Sequence, residues 1–291
     1  KSNRFRDVAV GKTNLGTVRM FQSRYDESFK ANQDAREIFE SLGEPKMVAV
    51  AWHQTGIVHE TAGQLEAAER AYRRSLALKV QQNDTAGEAS TLNQLGNLYD
   101  KMGRLEETVI FYRQAADKYV EVEDMANEGR ARNNLADTLI KLKRFAEARR
   151  EIKRAVECKK TYGHAAQPWT TWMILHNLEQ AEGNQEEAAQ AREQAIDLYL
   201  AYRRDGGENH SGGGRLSLQF LQALRENKKE EMAGVLEGLA KNPGIPPYLK
   251  ALISKLQAIL NGKLDPGLAA DPDLHYTDAA EILFVLEKLG G

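Results

Sequence analysis

Gly11-Lys12-Thr13 carries the residue types that close a phosphate-binding loop. Such a loop has the pattern G-x-x-x-x-G-K-[ST] and follows a β-strand. Arg6 occupies the position of its first glycine, and no alternating apolar pattern precedes it. We therefore expect the tripeptide to lie inside a helix and to bind no nucleotide.

Two histidines have side chains that could ligate a metal ion. His53 and His59 are six residues apart, which places them about 240° apart around a helix. They therefore cannot bind one ion together. Glu60 follows His59, but the second histidine of the zinc-protease pattern H-E-x-x-H is missing.

Four aspartates near the C-terminus, Asp265, Asp271, Asp273 and Asp278, have the composition of a calcium loop. The glycine that an EF-hand needs at its sharp turn is missing, and the final glutamate is out of register. Two of the aspartates precede proline, which is typical of turns. The sequence predicts turns here, and no metal or other cofactor anywhere in the chain.

Cys158 is the single cysteine. It shares a helical stripe with Ala155 and Val156, which favours a small buried side chain over a reactive thiol. A lone cysteine cannot form an internal disulfide. This composition is typical of a reducing compartment, so we expect a cytoplasmic protein.

Polar amides recur at a fixed spacing. Asn93 and Asn97 are four residues apart, as are Asn133 and Asp137, and Asn134 adjoins the second pair. Residues four apart share one face of a helix, and amides donate and accept hydrogen bonds without the cost of burying a charge. Two interpretations stay open: these side chains bind another polypeptide, or they bridge adjacent repeats.

Nine cations lie between residues 141 and 160, with only three glutamates among them. The cations are Lys141, Lys143, Arg144, Arg149, Arg150, Lys153, Arg154, Lys159 and Lys160. They could attract an acidic partner, another anion or RNA. Only one aromatic residue, Phe145, lies among them, which does not make a series of stacking platforms, so we favour a solvated outer face over a nucleic-acid site.

A pattern that recurs every forty residues must position most of these side chains. Leu95 and Gly96 have counterparts upstream and downstream, at Leu15/Gly16, Thr55/Gly56, Leu135/Ala136 and Leu175/His176. A fixed period of this length is typical of a solenoid. Each period holds two apolar stripes of helical spacing, which predict two antiparallel helices. Small residues such as Gly96 predict the points where the helices cross closely.

Two of the periods carry a recognisable set of residues. They are Trp52, Gly56, Ala68, Tyr72 and Ser75 in the second, and Leu95, Gly96, Tyr99, Tyr112 and Ala115 in the third. This set resembles the tetratricopeptide repeat, whose usual period is 34. The longer period is similar to that of kinesin light chains, Pins-like scaffolds and bacterial signalling ATPases. The resemblance implies an all-α, right-handed α-solenoid of about five helix pairs, whose first helices line a concave surface.

The pattern divides the chain into three regions. We expect a solenoid over 1–204, with repeats near 8–47, 48–87, 88–127, 128–167 and 168–204. Five glycines in residues 205–214 predict a flexible connector. Helical patterns in 215–291 predict a small C-terminal bundle that caps the solenoid. Because the first repeat begins so early, we expect the chain to be a piece of a longer polypeptide.

Composition and motifs argue against several classes of function. The net charge is −2, which gives no general attraction to nucleic acid or anionic lipid. No run approaches the roughly 18 apolar residues that span a bilayer. No catalytic constellation is visible, so we expect a protein that is not an enzyme.

The resemblance implies a scaffold that binds a peptide or helix of a partner protein in its concave groove. We expect Asn93, Asn97, Asn133, Asn134 and Asp137 at the centre, with Thr17, His53 and Asn177 flanking. The alternative is a sensor or autoinhibitory arm of a larger bacterial signalling or defence ATPase. A second copy of the chain, or a further domain of the same protein, could also be the partner.

Overall fold

The computed structural model describes residues 2–290, and over that range it consists of helices and turns. Its fourteen α-helices are α1 Ser2–Phe21, α2 Tyr25–Ser41, α3 Pro45–Thr61, α4 Leu65–Gln81, α5 Thr85–Lys101, α6 Leu105–Glu121, α7 Met125–Lys141, α8 Phe145–Lys159, α9 Pro168–Glu182, α10 Gln185–Arg204, α11 Gly212–Arg225, α12 Lys229–Lys241, α13 Pro247–Leu260 and α14 Tyr276–Gly290. Short 3₁₀ helices cover Lys160–Ala166 and Pro266–Ala270. Lys1 and Gly291, at the ends of the predicted domains, lie outside the described residues. None of these helices is long and apolar enough to cross a membrane.

Helices α3 to α8 each begin twenty residues after the previous one, and each of α2 to α8 follows a three-residue turn. The middle residue of each turn has a positive φ: Ser23, Gly43, Gly63, Asn83, Gly103, Glu123 and Lys143. The next residue donates its N–H to a carbonyl five positions earlier, as Arg104 does to Tyr99 at 2.9 Å. This is the Schellman end of a helix. Since the turns are so short, the residues beyond the usual period of 34 lie in the helices.

Glu123 occupies one of these left-handed positions (φ 58°) with an exposed side chain. We expect Glu123→Gly to raise the free energy of unfolding by about 0.5–1 kcal/mol, because glycine adopts this backbone conformation without strain. Urea denaturation followed by circular dichroism measures the change. Asp117→Gly is the matched control: it removes the same charge from an exposed position inside α6 and should destabilise by about 0.5–1 kcal/mol. If both variants raise the free energy of unfolding, or both lower it, the assignment of backbone strain to Glu123 is wrong.

Helices cross closely at the positions that the sequence marks with glycine. A Cβ atom added to Gly56 would lie 2.5 Å from the ring of Tyr72, and one added to Gly96 would lie 2.5 Å from the ring of Tyr112. Both tyrosine rings are buried. The predicted crossing of first and second helices is therefore confirmed in repeats two and three.

The described chain forms two compact units, which divide between Tyr162 and Gly163. The first unit contains α1–α8. The second contains α9–α14, and within it α10 packs against α14. Helix α10 keeps the spacing of the repeats, since it begins forty residues after α8 and the turn at Gly183 comes forty residues after the one at Lys143, whereas α9 begins forty-three residues after α7. The fifth helix pair thus continues the repeat and also shares a core with the later helices; the solenoid boundary at residue 204 stays a prediction.

The glycine-rich segment 205–214 is packed within the second unit. Helix α11 begins at Gly212, within the segment that the sequence assigns to a flexible connector. A Cβ on Gly213 would lie 2.0 Å from Asp278 Oδ1, and one on Gly214 would lie 2.3 Å from Asn209 Cγ. These glycines therefore allow the first turn of α11 to approach α14 and the loop closely.

The C-terminal aspartates form turns, as predicted. Asp265 Oδ1 accepts a hydrogen bond from Gly267 N at 2.8 Å, and Asp271 Oδ1 accepts one from Asp273 N at 2.9 Å. Asp278 differs, because it lies buried in the first turn of α14. Within residues 2–290 we find no group of three or more His, Cys, Asp or Glu side chains placed to hold a metal ion.

Candidate functional site

The first helices of the four pairs in the first unit lie side by side. Contacts between side chains of neighbouring first helices show this arrangement. The contacts are Thr61 Oγ1 to Met20 Sδ (3.7 Å), His53 Nδ1 to Thr91 Oγ1 (3.2 Å), Lys101 Nζ to Glu60 Oε1 (2.6 Å) and Lys141 Nζ to Asp100 Oδ1 (3.0 Å). We call the surface formed by α1, α3, α5 and α7 the first-helix surface.

Asn97 of α5 already makes two hydrogen bonds on this surface. Its Oδ1 accepts from Tyr112 Oη at 2.7 Å, and its Nδ2 donates to Gln94 Oε1. Asn93, one turn earlier, is half-buried, and its Oδ1 is buried without a hydrogen-bond partner in the described chain. Asn134 of α7 is half-buried as well. An amide can make about four hydrogen bonds, so Asn97 keeps capacity for a further partner.

The predicted pair on α7 does not present two groups to solvent. Asn133 is 5% exposed, because α7 packs against both α6 and α8. Asp137 is half-buried, and one of its oxygens lies 3.0 Å from Lys141 Nζ. Of the two interpretations of the polar residues, a role between adjacent repeats therefore suits Asn133 better than binding another polypeptide. Asp137 remains on the first-helix surface.

Asp100 and Lys101, near the C-terminal end of α5, were not singled out in the sequence, and their partners Glu60 and Lys141 were considered there only for other roles. Lys101 Nζ lies 2.6 Å from Glu60, and Lys141 Nζ lies 3.0 Å from both Asp100 and Asp137. Glu60 and Asp100 are forty residues apart, as are Lys101 and Lys141. The repeat period was the signal that could have identified them. Three carboxylates face two ammonium groups, so this part of the surface has a slight excess of negative charge.

Two tyrosines of the second helices reach the same carboxylates. Burial raises the pKa of Tyr112, and the charges of Asp100, Asp137 and Glu60 raise it further. Burial also raises the pKa of Tyr72, which donates a hydrogen bond to Glu60 Oε2 at 2.7 Å. Both phenols therefore stay protonated and act as hydrogen-bond donors.

The residues predicted to flank the amides have three different environments. Burial and the charge of Lys79 lower the pKa of His53 to about 3, so its ring is a neutral link to Thr91 of the next first helix. Thr17 donates to the carbonyl four residues earlier in α1, at 3.3 Å. Asn177 is exposed on α9 and belongs to the second unit.

The cations of the fourth repeat are partly neutralised by neighbouring carboxylates. Lys141, Arg144 and Arg154 each have acidic partners, and Lys159 is 3% exposed. Exposed cations without an ion pair in the described chain are Lys143, Arg150, Lys153 and Lys160. Less positive charge is therefore available for an anion or RNA than the sequence indicates.

Cys158 is buried, as predicted. Burial and a hydrogen bond to Glu128 raise the pKa of its thiol to about 11, so the reactive thiolate is scarce at neutral pH. The carboxylate of Glu128 accepts hydrogen bonds from Arg132 Nε (2.7 Å) and Arg154 Nε (2.8 Å). This buried cluster joins α7 to α8.

A model of the tetratricopeptide repeat matches residues 7–79 and 87–161. The chain belongs to the tetratricopeptide repeat family. Both matched segments lie in the first unit, where the first-helix surface is formed. No catalytic family is indicated, and no curated protein sequence matches this tetratricopeptide repeat protein.

Several solved structures share the fold of this tetratricopeptide repeat protein. BtubC (BKLC) from P. vanneervenii aligns with a TM-score of 0.64 at 14% identity, over 72% of this chain and 85% of that one. Repeats of a Podosopora anserina kinesin light chain align with a TM-score of 0.57 at 14% identity, over 70% and 99%. A signal transduction ATPase with numerous domains from Pyrococcus horikoshii, which has a tetratricopeptide repeat sensor, aligns with a TM-score of 0.62 at 13% identity. That alignment covers 98% of this chain and 42% of the ATPase.

Proposed function

We propose that the chain is a protein-interaction scaffold that binds a peptide or helix of a partner on its first-helix surface. One observation carries the proposal: polar side chains of adjacent first helices, among them the exposed Lys101 and Lys141, contact one another across the repeats. Asn93, Asn97, Asn134 and Asp137 lie among them. Membership in a family of interaction repeats supports the same function.

The charges on this surface favour particular partners. Glu60, Asp100 and Asp137 exceed the two lysines that pair with them, so a peptide with lysine or arginine side chains complements the surface better than an acidic one. Asn97 can bond to the peptide backbone, because an amide both donates and accepts. The partner that fits best is therefore an extended or helical segment with a positive net charge.

The experiment begins with the full chain as bait for a phage-displayed library of random peptides. We expect enrichment of basic sequences that bind the chain and compete with one another for one site. The double variant Asn97→Ala, Asn134→Ala should lose about 2–4 kcal/mol of affinity for the enriched peptides, measured by fluorescence polarisation. A few well-placed residues usually supply most of the binding free energy.

A matched control removes two amides from the second helices. Gln81 of α4 and Gln114 of α6 are exposed, and Gln81→Ala, Gln114→Ala should leave peptide affinity unchanged. Both double variants should keep the circular dichroism spectrum of the parent. If the Asn97→Ala, Asn134→Ala variant has a normal spectrum and binds the peptides as tightly as the parent, these two amides do not belong to the peptide site.

A sensor arm of a larger ATPase is the second candidate. The observation that favours it is the length of the match to the Pyrococcus horikoshii ATPase, which has a tetratricopeptide repeat sensor and aligns with 98% of this chain. If this candidate is right, the intact gene product carries a nucleotide-binding module, and peptides selected on the scaffold change its rate of ATP hydrolysis. If the intact reading frame encodes no such module, the sensor-arm candidate is wrong and the free-standing scaffold is the remaining candidate.

A further inference from the structure

The second unit contains an open pocket of about 520 Å³, separate from the first-helix surface. The C-terminal end of α10, the loop of residues 206–210 and one side each of α11 and α14 form its walls. Its volume lies within the range of about 300–1,000 Å³ typical of small-molecule sites. No residue of the proposed peptide site takes part in it.

Positive charge predominates on these walls. Arg215, Arg225 and Lys288 line the pocket, are exposed, and form no ion pair within the described chain. The one carboxylate on the walls is Glu208, whose side chain is 76% exposed and lies 3.4 Å from His210 Nε2. The pocket therefore presents three cations without an ion pair among the described residues, of which Lys288 lies 5.0 Å from the centroid of the Phe284 ring, and one exposed carboxylate beside a histidine.

The loop that forms one wall is held in place by a buried ion pair. Glu281 of α14 is fully buried, and its Oε1 lies 2.8 Å from Arg203 Nε and 3.0 Å from Asn209 Nδ2. Arg203 also donates to the carbonyl oxygen of Gly207. The shape of the pocket therefore depends on packed residues of three different segments.

Apolar side chains lie between the cations. Leu218 is 61% exposed, an unusual environment for leucine, and it lines the pocket together with Leu221 and Phe284. Arg215 and Arg225 are ten residues apart on α11, which corresponds to about 15 Å along the helix axis. The pocket suits a longer ligand that has an apolar body and more than one negative charge.

We propose that this pocket binds a nucleoside phosphate: an aromatic base against the exposed Leu218, and phosphates at the arginines. Guanidinium groups form paired hydrogen bonds with phosphate oxygens, which explains the choice of arginine over lysine at two of the three positions. The proposal concerns only the second unit. It holds whether or not the first-helix surface binds peptides.

Isothermal titration calorimetry of the full chain with AMP, ADP and ATP tests the proposal. We expect micromolar binding that strengthens with the number of phosphates and weakens as salt is raised. Adenosine, which has the base but no phosphate, and inorganic pyrophosphate, which has the phosphates but no base, are the two control ligands. Both should bind at least about tenfold more weakly than ADP, because one lacks the charge and the other lacks the apolar body.

The double variant Arg215→Ala, Arg225→Ala should weaken ADP binding by at least about tenfold. The control variant Lys229→Ala, Lys250→Ala removes the same charge from exposed positions outside the pocket and should bind ADP within about twofold of the parent, apart from a small loss of general attraction. Circular dichroism checks that both variants are folded. Absence of binding by all three nucleotides at about 1 mM and low salt overturns the proposal, as does an equal loss of affinity in the two variants.

Discussion

Replacing Glu128 by alanine is expected to lower the free energy of unfolding of the first unit by about 3 kcal/mol. The side chain is 2% exposed and accepts hydrogen bonds from Arg132 and Arg154. Burial raises the pKa of Glu128, and the bonds from the two arginines lower it by more, so the net shift is downward and the carboxylate stays charged. Its loss would leave Arg132, which is mostly buried, with only Glu151 as a partner.

Glu157→Ala is the matched control for this prediction. Glu157 also pairs with Arg154, at 3.5 Å, but its side chain is 61% exposed, so we expect a loss below about 1 kcal/mol. Urea denaturation followed by circular dichroism compares the two variants. A difference of less than about 1 kcal/mol between them would show that the buried cluster contributes no more than a surface ion pair.

Asp278→Asn is expected to stabilise the second unit by about 4 kcal/mol at pH 8 and by less than about 1 kcal/mol at pH 4. Burial, and to a smaller extent the charge of Glu281, raise the pKa of Asp278 from 3.8 to about 7. The folded state therefore holds a proton that the unfolded state releases. Stability contributed by this proton is present below pH 4, falls as the pH rises towards 7, and is lost above it.

Tryptophan fluorescence during urea denaturation can follow this change, since Trp169 and Trp172 both belong to the second unit. Asp271→Asn provides the control, because the hydrogen bond from Lys255 lowers the pKa of Asp271. That variant should lose stability at pH 8. If the free energy of unfolding of Asp278→Asn depends on pH in the same way as that of the parent, Asp278 is charged in the folded protein.

The repeat could be predicted from the sequence because its signals are local. Apolar spacing, Gly56 and Gly96 indicate the helix pairs, and the glycines at three of the turns mark where helices end. The start of α1 at Ser2, six residues before the predicted first repeat, carries no such mark, since no helix breaker stands among these polar residues. At the start of α11, Gly213 lies close to Asp278, sixty-five residues away in the sequence, and composition alone does not reveal this contact.

The candidate site was less predictable, because its chemistry depends on contacts between repeats. Asn93 and Asn133 occupy equivalent positions forty residues apart in the sequence, yet the packing of α7 buries Asn133, whereas Asn93 is half-buried. The pairing of Lys141 with both Asp100 and Asp137 joins residues up to forty-one positions apart. Single-helix periodicity gives each residue's face but not the partner that the neighbouring helix supplies.

The twenty-residue spacing of the turns affects how such a chain can evolve. Asp84 and Asp124 end equivalent turns, and each accepts a hydrogen bond, at 3.0 Å, from the backbone N–H three residues later. Duplication or loss of the forty residues between them would recreate the same junction. The number of helix pairs can therefore change in a single genetic event while the neighbouring pairs keep their backbone geometry.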